Sequence, residues 1–193
     1  MKSVCIFAGS SLGIKEAYKD LAISLGQALV KNNFSMVYGG GGVGLMNEIA
    51  NEVLKHDGEV TGVITERLKD VEAGHQNLTE LYVVKTMHER KAKMAQLSDA
   101  IISLPGGVGT WEEFFEALAW NQLGIHSKPI ILLNVEGYYD ELYSFSIKAC
   151  KEGFIPQSTL DDFYLISNVE DVIECINNFK PRDKSQWFKR LKE

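Results

Sequence analysis

Cysteine is scarce in this chain, and what there is lies scattered. Cys5, Cys150 and Cys175 are odd in number and form no CxxC pair, which excludes a disulfide framework and a dithiol redox motif and makes a reducing compartment the default. The four histidines show no zinc-ligand spacing, so neither a metal site nor a metal cofactor is expected. Long apolar runs are also missing. The first, Val4 to Ala8, is too short for a signal peptide or a membrane span, so no membrane partner is expected and the cytoplasm is the expected location. Nor is there an excess of positive charge: 20 Lys and Arg against 26 Asp and Glu leave a net charge of −6 and a pI near 5.3. That balance argues against nonspecific binding of a nucleic-acid polymer, and any anionic ligand must be held by local features against an unfavourable overall field. Repeats, low-complexity tracts and linkers are absent too. Residues 1–193, 45% hydrophobic, read as one domain large enough for a real core.

What is present alternates. Strand-like apolar runs cover Ser3 to Ala8, Phe34 to Tyr38, Glu59 to Ile64, Leu81 to Val84, Ala100 to Leu104 and Pro129 to Leu133. Between them, apolar residues at three-and-four spacing predict helices over Lys15 to Lys31, Gly44 to Lys55, Met87 to Leu97, Gly109 to Leu123 and Tyr138 to Lys151, with a last one near Val169 to Phe179. Alternating βα units predict an α/β domain, an open parallel sheet with helices on both faces. The basic tail from Arg182 to Glu193 carries Trp187, Phe188 and Leu191 and reads as a short helix packed on the body or on a partner subunit.

Three glycine-bearing turns fall after strands, at the edge where open α/β sheets bind ligands. They are Gly9-Ser10-Ser11-Leu12-Gly13, Gly39-Gly40-Gly41-Gly42-Val43-Gly44 and Pro105-Gly106-Gly107-Val108-Gly109-Thr110. One such turn is weak evidence; three along one edge predict a backbone-lined pocket with room for a phosphate and a sugar. The third is the most informative, because strand, tight turn and helix start leave unpaired N–H groups and a positive dipole end facing outward. Glu113 then places a carboxylate within one helical turn of the phosphate. The second turn also fits GxGxxG through Gly39, Gly41 and Gly44. It follows the second strand, and its only candidate acid is the poorly placed Glu66, so NAD binding stands as a minor alternative.

The segment Thr86-Met87-His88-Glu89-Arg90-Lys91-Ala92-Lys93-Met94 puts Arg90 and Lys91 in the first turn of a helix, where the dipole disfavours cations. A bound phosphate or a carboxylate would offset them; a solvated face with a Glu89–Lys93 pair is the plainer reading. Glu113 has a structural rival as well, since Thr110-Trp111-Glu112-Glu113 matches a capping box, as does Thr86 with Glu89. Spacing alone leaves Glu113 open between a helix cap and a catalyst. Trp111, Phe114, Phe115 and Leu118 read as helix-face packing rather than a platform for a base.

The combination of Pro105-Gly106-Gly107-Val108-Gly109-Thr110-x-x-Glu113 with Met87-His88-Glu89-Arg90-Lys91 resembles the LONELY GUY (LOG) family, cytokinin riboside 5′-monophosphate phosphoribohydrolases often mislabelled as lysine decarboxylases. Further matches run through most of the chain: Gly9-Ser10-Ser11, Tyr38 to Gly41, Gly44-Leu45-Met46, Leu123 to His126 with Lys128-Pro129, Leu133 to Tyr139, and Glu152 to Ile155. The resemblance implies a Rossmann-like fold, a homodimer, no cofactor, and hydrolysis of the N-glycosidic bond of a nucleoside 5′-monophosphate, AMP or an N6-modified relative, to free base and ribose 5-phosphate. It implies Arg90 and Glu113 as catalytic residues. Substrate contacts are expected from Lys91, Gly107, Val108, Gly109, Thr110, Trp111 and Glu112, from a glutamate aligned to Glu72, and from Ser10 and Gly41 in the other two turns. Asn47, Thr65, Trp111 and Ala119 depart from residues common in the family and bear on base preference. Two other functions compete: a nucleotide-binding module or sensor that uses the turns without the acid, and a pyridoxal-phosphate decarboxylase with Lys91 as its Schiff-base lysine.

Overall fold

The computed structural model describes residues 1–71 and 74–182. Its strands are β1 (Lys2–Phe7), β2 (Phe34–Tyr38), β3 (Val60–Thr65), β4 (Glu80–Val84), β5 (Ala100–Ser103), β6 (Ile130–Leu133) and β7 (Tyr164–Ile166). Helices α1 (Glu16–Lys31), α2 (Gly44–Lys55), α3 (Glu66–Val71), α4 (Met87–Gln96), α5 (Val108–Gln122), α6 (Asp140–Lys151), α7 (Gln157–Leu160) and α8 (Val169–Asn178) connect them. All ladders are parallel, in the order β4-β3-β2-β1-β5-β6-β7. The sheet grows outward from β1 to β4, and the chain then crosses back to lay β5 on the other side of β1, with Val4 opposite Ala100 and Ile6 opposite Ile102. The C-terminal ends of β1 and β5 therefore flank the point where the winding reverses, the place such sheets reserve for ligands.

Strand alternation builds two cores. Val4, Ile6 and Ala8 of the β1 region face one way, against α1, α2 and α8 through Leu25, Ile49 and Val172. Cys5 and Phe7 face the other way, against Met94 of α4, Phe114 and Leu118 of α5, and Tyr139. Because both faces of the sheet are covered, the central strands carry unbroken apolar sequence rather than alternation. Burial holds the Cys5 thiol far above its ordinary range, so it behaves as a small apolar side chain. Helix ends follow local chemistry. Past α1, Asn33 takes a left-handed backbone (φ 58°), and past α2 Asp57 does the same (φ 60°), a conformation that short polar side chains tolerate.

The alternating α/β reading holds, with three additions. β7 is a three-residue edge strand, half-buried along its length, too short to show a period. α3 and α7 have six and four residues, below the window in which helical periodicity can be read. α6 starts at Asp140 rather than Tyr138, because Tyr138 N–H donates to the Val135 carbonyl and Asp140 N–H to the Gly137 carbonyl in a separate turn. The stretch from 183 to 193, with Trp187, Phe188 and Leu191, lies outside the described residues.

Ile49 is fully buried between α1 and the sheet. Ile49→Ala is expected to lower the unfolding free energy by about 2–5 kcal/mol, read as a shift in the midpoint of urea unfolding.

Candidate active site

The three glycine turns meet at the carboxyl ends of β1, β2 and β5 and are stitched together by backbone. Gly9 N–H donates to the Pro105 carbonyl at 3.1 Å, and Met46 N–H, in the first turn of α2, reaches the Gly9 carbonyl at 3.4 Å. Such packing needs bare glycines. A Cβ on Gly106 would lie 2.1 Å from Thr110 Oγ1, and one on Gly44 would lie 2.3 Å from the carbonyl carbon of Ser10. At Gly107 and Gly109 an added Cβ would meet no atom within 4 Å; those two glycines face open space. Gly107 is the N-cap of α5 and makes no side-chain cap, and the first turn holds no acid in its capping positions. Such a helix start, with no side-chain cap and no acid in its first turn, is an arrangement that suits an anion.

The capping-box reading of Thr110 and Glu113 is thereby corrected. α5 begins at Val108, so Thr110 is already inside the helix, buried against Gly106, and Glu113 lies three positions beyond the place a capping-box acid would take. The other candidate box is real. Thr86 Oγ1 accepts from Glu89 N–H at 3.1 Å and Glu89 reaches back to the Lys85 N–H at 2.9 Å. Glu89 is therefore not held by Lys93, whose ammonium lies over the Tyr82 ring, 4.5 Å from its centroid.

Arg90 sits beneath the glycine turns, 6% exposed. Its Nε donates to the Val63 carbonyl at 2.9 Å, within β3, and its Nη2 to the Gly39 carbonyl at 3.1 Å, just past the end of β2. On the remaining side Nη1 lies 3.4 Å from Glu113 Oε1, a long contact for an N–H···O bond. The guanidinium is thus fixed by backbone and presents its charge to Glu113. Gly39 serves this arrangement directly: a Cβ there would fall 1.9 Å from Nη2. The GxGxxG glycine that a dinucleotide would use is already occupied by an arginine.

Lys91, also buried, turns to α5, where its ammonium pairs with Glu112 and, at 2.9 Å, with Glu116. Burial pulls its pKa down, but the two carboxylates outweigh that and leave it raised. The structure therefore brings together Ser10, Gly41, Arg90, Gly107 to Thr110 and Glu113 around one edge, with Lys91 and Glu112 joined to each other alongside. Glu72 lies outside the described residues. Phe114 and Leu118 pack in the core as expected, whereas Trp111 and Phe115 are 43% and 44% exposed and do not.

Two partners of the site carry no signal in the sequence. The Val63 and Gly39 carbonyls that hold Arg90 belong to residues with no polar side chain, and nothing local marks them. His75 is the second case. Its backbone N–H donates to the Gly40 carbonyl at 3.0 Å, beside a Gly41–Gly74 bridge. Its Nδ1 accepts from the Asn77 N–H at 3.2 Å, which leaves Nε2 to donate to Asn51 Oδ1 at 3.1 Å. The imidazole ties the loop after α3 to α2 across the second glycine turn. Burial depresses its pKa below the ordinary 6.5, so the fold favours the neutral ring. Its contribution to stability is whole above about pH 6.5 and is lost as pH falls through the depressed value. His75→Gln is expected to flatten the decline in melting temperature below about pH 6.5, checked by thermal unfolding of both proteins across that range.

The chain is similar to known proteins in sequence and in fold. A family model described as a possible lysine decarboxylase matches residues 46–176. A cytokinin riboside 5′-monophosphate phosphoribohydrolase of Arabidopsis thaliana is 46% identical over 189 residues, covering 98% of this chain and 89% of that protein. Its counterpart from Rhodococcoides fascians is 47% identical over 178 residues, covering 92% and 90%. Among solved structures, that of TM1055 superposes with a TM-score of 0.72 at 22% identity, covering 93% of this chain and all of that one. The molybdenum cofactor binding protein of Rippkaea orientalis gives 0.68 at 25% identity, covering 92% and 96%. These likenesses place the sheet and its helices in a shared Rossmann-like architecture.

Proposed function

Because the chain belongs to the LONELY GUY (LOG) family, whose model bears the lysine decarboxylase label and whose curated members are named cytokinin riboside 5′-monophosphate phosphoribohydrolases, we propose that it hydrolyses the N-glycosidic bond of a purine nucleoside 5′-monophosphate. The observation that carries this reading is the buried Arg90–Glu113 pair set beside an uncapped helix N-terminus. The substrate is AMP or an N6-modified relative, and the products are free base and ribose 5-phosphate. Water adds its oxygen to C1′ as the C1′–N9 bond breaks, and a proton goes to the departing base. The 5′-phosphate rests on the amides of Gly107 to Thr110, with Ser10 and Gly41 lining the neighbouring turns. Phosphate binding energy then orients the sugar over the acid.

Glu113 faces the positive charge that builds on the ribose as the bond breaks. At ~4 Å and an effective dielectric of ~20, opposite unit charges attract by about 4 kcal/mol before desolvation, the scale of one preorganised group. Arg90 keeps Glu113 aimed at the ribose. Lys91 offsets Glu112 and Glu116, so that the first turns of α5 stay attractive to a phosphate in a protein of net charge −6. The same pairing weighs against decarboxylase chemistry, because a Schiff-base lysine needs a lowered pKa and Lys91 has a raised one. Three free cysteines fit a reducing cytoplasm. Among the described residues no helix is long and apolar enough to cross a membrane. Glu113→Gln is expected to fold normally and to lose about 10²-fold or more in kcat, measured as free base released from AMP and from N6-isopentenyladenosine 5′-monophosphate. Neither unphosphorylated nucleoside should be cleaved. Near-normal turnover by Glu113→Gln would leave the acid without a catalytic role, and binding of AMP without turnover by wild-type protein would mark a sensor.

The assembly belongs to the same reading. Trp111 and Phe115 leave an apolar stripe on the outer face of α5, beside the site, that suits a second copy of the chain. Light scattering is expected to give about twice the 21.6 kDa chain mass, and Phe115→Glu is expected to shift the species toward one chain.

A further inference from the structure

Two adjacent tyrosines support the turn between β5 and α5, and their hydroxyls reach peptides of different consequence. Tyr139 Oη donates to the Leu104 carbonyl at 2.6 Å; Tyr138 Oη donates to the Gly106 carbonyl. The peptide after Leu104 ends on Pro105, which has no N–H. The peptide after Gly106 carries the N–H of Gly107, the N-cap of α5. In a trans peptide the carbonyl and the N–H point opposite ways, and the structure has no cis peptide bond among its described residues. Fixing the Gly106 carbonyl on Tyr138 therefore fixes the direction of the Gly107 N–H.

That restraint matters because the peptide lies between two glycines, where rotation of the whole unit meets little steric resistance. Turned half over, it would present a carbonyl oxygen in place of a donor, and an anion there would be repelled. A side chain on Gly106 cannot supply the stiffness, since its Cβ would strike Thr110. The restraint has to come from another element. Tyr138 is itself held firmly: its ring packs edge-on against Tyr18 at 5.8 Å and Tyr139 at 4.9 Å between centroids. Asn134 accepts from the Tyr139 N–H at 2.8 Å and donates to Asp140 at 2.7 Å, which braces the loop after β6. Together with Gly9, Ser10, Ser11, Gly106 and Gly107, the Tyr138 ring lines a cavity of about 310 Å³.

We propose that Tyr138 is a positioning residue for phosphate recognition, holding the Gly106–Gly107 peptide so that its N–H faces the ligand. Tyr138 acts through the turn, not on the reacting carbon, and its role rests on the phosphate site proposed above. Tyr139, one residue on and bound to a peptide without an N–H, serves stability alone.

The test compares Tyr138→Phe with Tyr139→Phe, each of which keeps its ring, by calorimetric titration with ribose 5-phosphate and by steady-state kinetics on AMP. Tyr138→Phe is expected to weaken ribose 5-phosphate binding by about 5- to 10-fold, the size of one net hydrogen bond, and to raise KM by a similar factor with a smaller change in kcat. Tyr139→Phe is expected to lower the melting temperature and to leave ribose 5-phosphate affinity within about twofold, below the effect of one such bond. Unchanged affinity in Tyr138→Phe, or equal weakening in both variants, overturns the proposal. Wild-type protein that binds ribose 5-phosphate but releases no base would sink the hydrolase reading while this comparison still decides the role of Tyr138. Wild-type protein that does not bind ribose 5-phosphate overturns the phosphate cradle and the role of Tyr138 together.

Discussion

A guanidinium withdrawn from water must be surrounded by acceptors or the fold is penalised by several kcal/mol, and the burial of Arg90 imposes that condition on much of this molecule. Two of its acceptors are the carbonyls of Val63, inside β3, and Gly39, just past the end of β2, which requires those strands to pair with Tyr38 opposite Gly62 and α4 to pack against β3. The third is the Glu113 carboxylate, which fixes how α5 is rotated about its axis. Gly39 has to be bare for the charge to fit at all. An ion pair of this kind is weak evidence for stability, since an apolar pair of similar volume would often serve the fold as well. Its place at the reversal point of the sheet is better explained by what the charges would do in the proposed reaction.

For the proposed reaction the site has to attract a dianion in a chain of net charge −6, and the means proposed are local. In the proposed site the amides of the α5 N-terminus supply the donors, and Lys91 offsets the two glutamates on the next turns. Backbone donors in a packed turn need no reorganisation when the ligand arrives, which favours binding of a fixed geometry over general attraction to phosphates. The same design makes the turn dependent on its surroundings. Glycines allow the close approach of β1, α2 and α5, and in doing so leave the turn without stiffness of its own; Tyr138, in the loop after β6, supplies it.

Much of this was legible from residue order. Apolar runs alternating with three-and-four periodicity located six of the seven strands and the longer helices, because burial on both faces of a parallel sheet writes itself into local sequence. The glycine turns could be assigned to one sheet edge, since every strand of a parallel sheet ends on the same side. Elements of three to six residues, β7, α3 and α7, escaped because a period cannot be read in less than one repeat. The capping-box pattern puts the N-cap at Thr110, three residues past the observed one at Gly107, and that shift is what makes Glu113 look like a helix cap.

The sequence by itself determined the class of fold, the sheet edge at which the glycine turns gather and the residue types available there, because each of these follows from local pattern and from the handedness and direction common to βα units. Only the tertiary structure decided what those residues do for one another. Arg90 is held by carbonyls 27 and 51 residues away in sequence, Tyr138 reaches back 32 residues to the phosphate turn, and His75 closes on a loop of the preceding unit. Contacts between backbone groups that every residue possesses leave no mark in composition or spacing. They exist only once the strands have been brought side by side.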